Sequence, residues 1–142
     1  MKIHHIGYAV KNINESLPFF TQLGFEIASW GGGATVDNSR NVYILFIQNG
    51  EYVIELISPL SEGSPVDTTL KKNGVTPYHI CYEVENMQEA CHTLKGEGYF
   101  FVQKPASAPA ISDTAVVAFL YCPLSGLIEL LSFEEGTKVH VS

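Results

Sequence analysis

Basic charge is scarce in this chain. Its 142 residues hold 8 Lys and Arg against 15 Asp and Glu, for a formal net charge of −7. The cations are scattered, with Lys71-Lys72 as their one adjacent pair. A nucleic-acid surface needs a basic face, so that class of partner is excluded. Cysteine is also sparse. Cys81, Cys91 and Cys122 are odd in number and form no C-x-x-C, which argues against a disulfide framework and for reduced thiols. No apolar stretch approaches the roughly 18 consecutive residues expected of a membrane span. The opening MKIHHIGYAV has an apolar run too short and too broken for a signal peptide, so a soluble cytoplasmic protein without a membrane partner is expected. There is no G-x-S-x-G for a nucleophile elbow, and Gly31-Gly32-Gly33 is not followed by the Gly-Lys-Ser/Thr of a phosphate loop. The 46% hydrophobic and 16% charged content is that of one ordinary globular domain.

What is present is a repeat. Val53-Ile54-Glu55-Leu56-Ile57-Ser58 returns as Leu127-Ile128-Glu129-Leu130-Leu131-Ser132, and His5-Ile6-Gly7-Tyr8-Ala9-Val10 returns as His79-Ile80-Cys81-Tyr82-Glu83-Val84. Both repeats have the same offset of 74 residues (55 to 129, 5 to 79), so each histidine stands 50 residues before its glutamate. From His5 to Gly24, seven of twenty positions are identical at that offset: His5/His79, Ile6/Ile80, Tyr8/Tyr82, Val10/Val84, Asn12/Asn86, Glu15/Glu89 and Gly24/Gly98. Two such copies imply a duplicated module and a domain of pseudo-two-fold symmetry.

Each copy reads as β-α-β-β-β. Lys2 to Val10 alternates as a strand, with His5, Gly7 and Ala9 on one face and Ile6, Tyr8 and Val10 on the other. The second, bulky set should lie under a helix; the first leaves a small-residue wall beside the histidine. Asn12 with Glu15 three residues on resembles a helix start, although Pro18 suggests Ser16 as an alternative cap. A strand is expected over Phe25 to Trp30, and a flexible loop from Gly31 to Arg40 that could serve as a lid. Asn49-Gly50 turns a hairpin between Val42–Gln48 and Glu51–Ile57. Ser64-Pro65-Val66-Asp67 reads as the start of a connector helix. In the second copy, Pro123 to Gly126 joins strands over Val116–Tyr121 and Leu127–Ser132. The expected layout is module one over 1–59, connector helix 60–74, module two over 75–133 and a polar, partly mobile tail over 134–142.

Glu55 and Glu129 each lie between apolar residues on one strand face, where a carboxylate is costly to bury without a partner. Two imidazoles and two carboxylates suit a divalent cation such as Co, Zn, Ni, Mn or Fe. His5, Glu55, His79 and Glu129 are therefore the candidate metal ligands. His4, His92 and His140 have no counterpart at the repeat offset, and are read as outward-facing, helix-surface and tail residues. Cys81 shares the His79 face and is either a cavity wall or a small core residue. Arg40 is a candidate substrate-binding cation for an anionic group, with plain surface solvation as the competing reading.

These residues resemble the vicinal oxygen chelate (glyoxalase/bleomycin resistance) superfamily, and within it most nearly the methylmalonyl-CoA epimerase family. The resemblance rests on His5 to Val10, on Ile54-Glu55-Leu56-Ile57-Ser58-Pro59-Leu60 with Ser64-Pro65-Val66, on His79 to Val84, and on Val117-Ala118-Phe119-Leu120 with Ile128-Glu129-Leu130. It implies an α+β fold of two βαβββ modules forming a U-shaped mixed sheet around a metal cavity. The family's ligands fall on His5, Glu55, His79 and Glu129. It further implies an isomerase that abstracts a proton alpha to a metal-bound carbonyl by way of an enediolate, with Glu129 as base and Glu55 as its opposite-face counterpart. The substrate would be a thioester such as an acyl-CoA, and the assembly a homodimer. Glyoxalase I-type lyases share the ligand set, and resistance members of the superfamily bind small molecules without catalysis. The chain departs from the epimerase pattern at Ser39, where the family has a glutamate, and at Tyr78, where it has a histidine.

Overall fold

The computed structural model describes residues 1–31 and 33–134. Gly32 of the expected Gly31–Gly33 lid, and the tail from residue 135 on with His140, whose mobility was expected, lie outside the described residues. Nine strands and three helices occur among the described residues, with parallel and antiparallel pairings, so the class is α+β. The chain divides into two compact units, His5–Tyr78 on the one hand and the chain from His79 with Met1–His4 on the other.

In the first unit, which takes β1 from His5 on, the order is β1 (Lys2–Ala9), α1 (Ile13–Gln22), β2 (Glu26–Ile27), β3 (Thr35–Asp37), β4 (Val42–Asn49), β5 (Tyr52–Pro59) and α2 (Asp67–Asn73). The strands lie in the order β2-β4-β5-β1, with β3 also on β4. β1 runs parallel to β5, and β4 antiparallel to β5. Helix α1 starts where the Asn12 side chain accepts a hydrogen bond from the Glu15 N–H at 3.0 Å. Asn12, not Ser16, is therefore the cap, and the helix continues through Pro18, forgoing that residue's bond to Asn14. Leu17 and Phe20 of α1 pack with Tyr8 of β1 over a core of Val10, Ile13, Leu45, Ile47 and Leu56. This is the bulky face expected to be covered; Ile6, its third member, is 37% exposed.

In the second unit β6 (Thr76–Glu83), α3 (Met87–Gly96), β7 (Phe100–Ser107), β8 (Ala115–Cys122) and β9 (Gly126–Phe133) follow one another. The strand order is β6-β9-β8-β7, with β6 parallel to β9 and the remaining pairs antiparallel. Asn86 caps α3 as Asn12 caps α1, accepting from the Glu89 N–H at 2.9 Å. Each helix ends in the same turn: Gly24 at φ 99° and Gly98 at φ 103°, a conformation that glycine adopts without a Cβ penalty. Met87 and Cys91 of α3 seal a core with Val116, Ala118, Leu120, Ile128 and Leu130. Burying each such side chain is worth about 1.5–3 kcal/mol, which holds each helix on one face of its sheet and leaves the other face for chemistry.

Three expectations are corrected. The strand expected over Phe25 to Trp30 is confined to Glu26–Ile27, because the Gly31 N–H folds back onto the Ala28 carbonyl at 3.0 Å. The loop from Gly31 to Arg40 contains β3, paired with β4 from Thr35↔Ile44 to Asp37↔Val42. The connector helix begins at Asp67 rather than at Ser64. Ser64 to Asp67 is instead a turn, in which the Asp67 N–H bonds the Ser64 carbonyl and the Asp67 carboxylate accepts from the Gly63 N–H.

Candidate metal centre

The parallel pairing of β1 with β5 sets Gly7 directly beside Glu55. His5, two residues earlier on β1, shares the Gly7 face and reaches Glu55 diagonally across the ladder. Its Nε2 lies 3.4 Å from Glu55 Oε1. In the second unit the register is the same: Cys81 of β6 stands beside Glu129 of β9, and His79 Nε2 lies 3.0 Å from Glu129 Oε1. The residue beside each glutamate is small, glycine or cysteine, so the imidazole is not blocked from its carboxylate. All four side chains are buried, with exposures of 1% for His5, 2% for Glu55, 3% for His79 and 1% for Glu129.

Within each unit, therefore, the strands bring together the histidine and glutamate that the sequence singled out. Burying a carboxylate costs several kcal/mol unless its charge is answered. The donor set suits a borderline divalent cation. Two donors each about 2.1 Å from one ion, at angles of roughly 90–110°, stand about 3.0–3.4 Å apart, the range spanned by the two observed separations.

Each site face carries one further residue that the repeat did not reveal. Phe46 of β4 is the antiparallel partner of Glu55, and Phe119 of β8 is the antiparallel partner of Glu129. Each ring meets its unit's histidine nearly edge to face. The centroids are 5.3 Å apart in both units, with interplanar angles of 75° for His5–Phe46 and 89° for His79–Phe119. These phenylalanines are 73 residues apart (46 to 119), not 74. The hairpin of β4 and β5 closes through Asn49↔Tyr52, whereas that of β8 and β9 closes through Cys122↔Gly126 with one residue more in its loop. This extra residue offsets one residue fewer between Gly98 and β8, so the repeat is broken in sequence over β4 and β8 and intact in the sheet.

The other candidates sit elsewhere in the chemistry. Arg40 donates from Nε to Asp37 Oδ2 at 2.8 Å, and Asp37 Oδ1 accepts from the Ser39 hydroxyl at 2.7 Å and from the Arg40 N–H at 3.1 Å. Partial burial alone would raise the Asp37 carboxyl, but the hydrogen bonds from Ser39 and Arg40 and the Arg40 charge outweigh it and hold it below its usual range. Asp37 is thus a weak base that stays ionised. His92 is exposed on α3, as expected, and His4 is half-buried. Cys81 is fully buried on the His79 face, packed with Val117, Phe119 and Leu131. Burial pushes the Cys91 thiol up against a smaller pull from Lys95, which leaves it without the character of an activated nucleophile.

Comparison with known proteins bears on this arrangement. Residues 4–119 match the family model of the Glyoxalase/Bleomycin resistance protein/Dioxygenase superfamily. Among curated proteins, an ethylmalonyl-CoA/methylmalonyl-CoA epimerase from Cereibacter sphaeroides is 34% identical over 101 residues, covering 68% of this chain and 71% of that protein. The mitochondrial methylmalonyl-CoA epimerase of Bos taurus is 30% identical over 96 residues, covering 66% of this chain and 53% of its own, so the match spans about half of that relative's length. Among solved structures, a hypothetical protein from Bacillus halodurans superposes with a TM-score of 0.79 at 32% identity, covering 97% of this chain and 98% of that one. A Streptomyces coelicolor methylmalonyl-CoA epimerase in complex with 2-nitronate-propionyl-CoA shares the fold, with a TM-score of 0.80 at 20% identity over 98% of this chain and 99% of that one. No helix among the described residues is long and apolar enough to cross a membrane.

Proposed function

This chain belongs to the glyoxalase/bleomycin resistance protein/dioxygenase superfamily, and from that premise we propose that it is an isomerase that epimerises a branched acyl-CoA thioester of the methylmalonyl-CoA class. In this reading His5, Glu55, His79 and Glu129 together hold one divalent cation, and the protein works as a homodimer. The observation that carries the reading is the recurrence of one construction in both units: a histidine and a glutamate on adjacent parallel strands, in the same register, buried, and 3.0–3.4 Å apart. The curated relatives that carry such names are epimerases, which supports an acyl-CoA substrate over a glutathione adduct.

A divalent cation bound by these side chains would act as a Lewis acid toward a substrate carbonyl. The chain's own residues then supply the proton chemistry. Glu129 accepts the proton from C2, the carbon between the thioester carbonyl and the free carboxylate, and the electron pair left behind delocalises into the thioester. Glu55, the equivalent residue of the other module, is the group proposed to return a proton to the opposite face; it must hold that proton before C2 is deprotonated, and exchange with water afterwards resets both glutamates. Asp37 is the poorer choice, because its carboxylate is already committed to Ser39 and Arg40. The buried setting of both glutamates lowers the local dielectric and strengthens each of these interactions.

The direct test is deuterium uptake at C2 of methylmalonyl-CoA in D₂O, with Co²⁺-loaded and metal-stripped protein. Metal-dependent uptake with racemisation is expected, together with its loss in Glu129→Gln. Absence of exchange by protein that binds Co²⁺ would refute this substrate, and glutathione hemithioacetals would be assayed in its place.

A further inference from the structure

We propose that Phe46 and Phe119 are the positioning residues of the metal centre, each fixing the ring plane of its unit's histidine so that Nε2 faces the glutamate. The inference rests on the metal-binding reading above and goes beyond it by assigning a role to two residues outside the donor set.

The geometry is repeated closely. Phe46 and Phe119 occupy the same register position, opposite Glu55 and Glu129. Each makes the same near-perpendicular contact at 5.3 Å with the histidine. Both rings are buried, with Phe46 at 2% and Phe119 at 9% exposure. The rest of β4 and β8 has diverged: at the same 73-residue offset, Val42 to Asn49 and Ala115 to Cys122 are identical at the phenylalanine alone. General core packing would accept any large apolar residue there, as it does at the neighbouring pairs Ile44/Val117 and Ile47/Leu120. An aromatic edge-to-face contact needs a ring.

A histidine on a strand can turn about its terminal torsion, which is broad rather than locked in narrow wells. The neighbour on the same face, Gly7 or Cys81, is small. The phenylalanine, opposite the glutamate on the neighbouring strand, limits that turn by its edge-to-face contact. In the first unit Phe46 is itself braced by Trp30, whose ring centroid lies 4.8 Å away. Trp30 is the chain's single tryptophan, so its fluorescence reports on this side chain directly.

The test is a Co²⁺ titration of wild type, Phe46→Leu and Phe119→Leu, read by Trp30 fluorescence and by the visible ligand-field spectrum, with Phe→Tyr at each position as the ring-retaining control. Loss of an outer-shell partner typically weakens metal binding about 10–100-fold, so the leucine variants should bind at least about tenfold more weakly, with an altered spectrum, while the tyrosine variants stay near wild type. Should a leucine variant melt early, Met at the same position fills the space without a ring and takes its place. Wild-type affinity and spectrum in the ring-less variants would overturn the positioning role and leave the metal centre standing. Failure of the wild type itself to bind Co²⁺ would overturn the centre and this inference with it.

Discussion

Replacing Glu129 by Gln separates a ligand from a structural ion-pair partner, because the two roles predict opposite changes in stability. The side chain is 1% exposed and its Oε1 lies 3.0 Å from His79 Nε2. Without metal, the carboxylate carries a desolvation cost of several kcal/mol that a neutral amide of the same shape avoids. Stripped Glu129→Gln should therefore melt at or above stripped wild type. With metal at about 100 times its dissociation constant, wild type gains about 2.7 kcal/mol by linkage. At about 3–4 °C per kcal/mol for a chain of this size, that is a rise of about 9 °C. Losing a direct ligand should weaken binding by at least the ~100-fold upper range for outer-shell changes, so at the same metal concentration the variant gains about 0.4 kcal/mol, or about 1 °C. Calorimetry of both proteins with and without Co²⁺, alongside urea titration, measures all four states. An equal metal-induced rise in the variant would remove Glu129 from the donor set. A loss of more than about 3 kcal/mol in the stripped variant would show that the carboxylate serves as a buried partner of His79, as in ordinary broken ion pairs.

Two further changes probe the frame around the centre. Asp37→Asn should lower stability at neutral pH by about 1 kcal/mol or less, since the site is only partly buried. Because the folded carboxyl is held below 3.8, its contribution is present above that pH and is lost as the pH falls through the lower, folded value. The wild type and variant should therefore converge under acid in urea titrations at successive pH values, and a gap that persists in strong acid would contradict the pairing with Arg40. Asn12→Ala and Asn86→Ala should each cost about 1 kcal/mol, with equal melting shifts that add in the double variant, because each cap answers one N–H at the start of its own helix. A negligible shift in either would mean that water replaces that cap.

Most of what was legible in the sequence came from patterns that local chemistry enforces. The Asn-x-x-Glu starts became caps because a carboxamide in extended backbone meets a free helical N–H regardless of what surrounds it. Tyr8 and Val10 went under α1 because strand alternation allows nothing else once His5 takes the opposite face. The misreadings came where distant backbone decides. Ser64 carries the composition of a cap, but its carbonyl closes a turn with Asp67 and the helix starts later. Thr35–Asp37 looked like loop because its pairing partner, β4, is supplied from elsewhere in the chain. Nothing in a linear reading ties Arg40 to Asp37, three residues away around a turn.

The phenylalanines show the same division within the centre itself. A fixed offset of 74 holds from His5/His79 to Gly24/Gly98 and again at Glu55/Glu129, which is why the histidines and glutamates stand out. It misses every residue of β4 and β8, because the second copy has one residue fewer between its helix and β8, which drops the offset to 73, and one residue more in its hairpin loop, which restores 74 at β9. An antiparallel ladder absorbs such an insertion at its tip without disturbing register, since cross-strand pairing is counted from the ladder and not from the loop. Loop length is thus free to drift while the face holding His, Glu and Phe cannot slip by one residue without turning all three to the other side of the sheet. It follows that lengthening the β4–β5 tip by one residue, to match the second hairpin, should leave Co²⁺ affinity within about twofold of wild type, whereas inserting one residue between Phe46 and Asn49 should weaken it at least about tenfold, as Phe46→Leu should, because only the second change moves Phe46 off the glutamate's face. Equal loss from both insertions would mean that tip length, not register, keeps the centre in place.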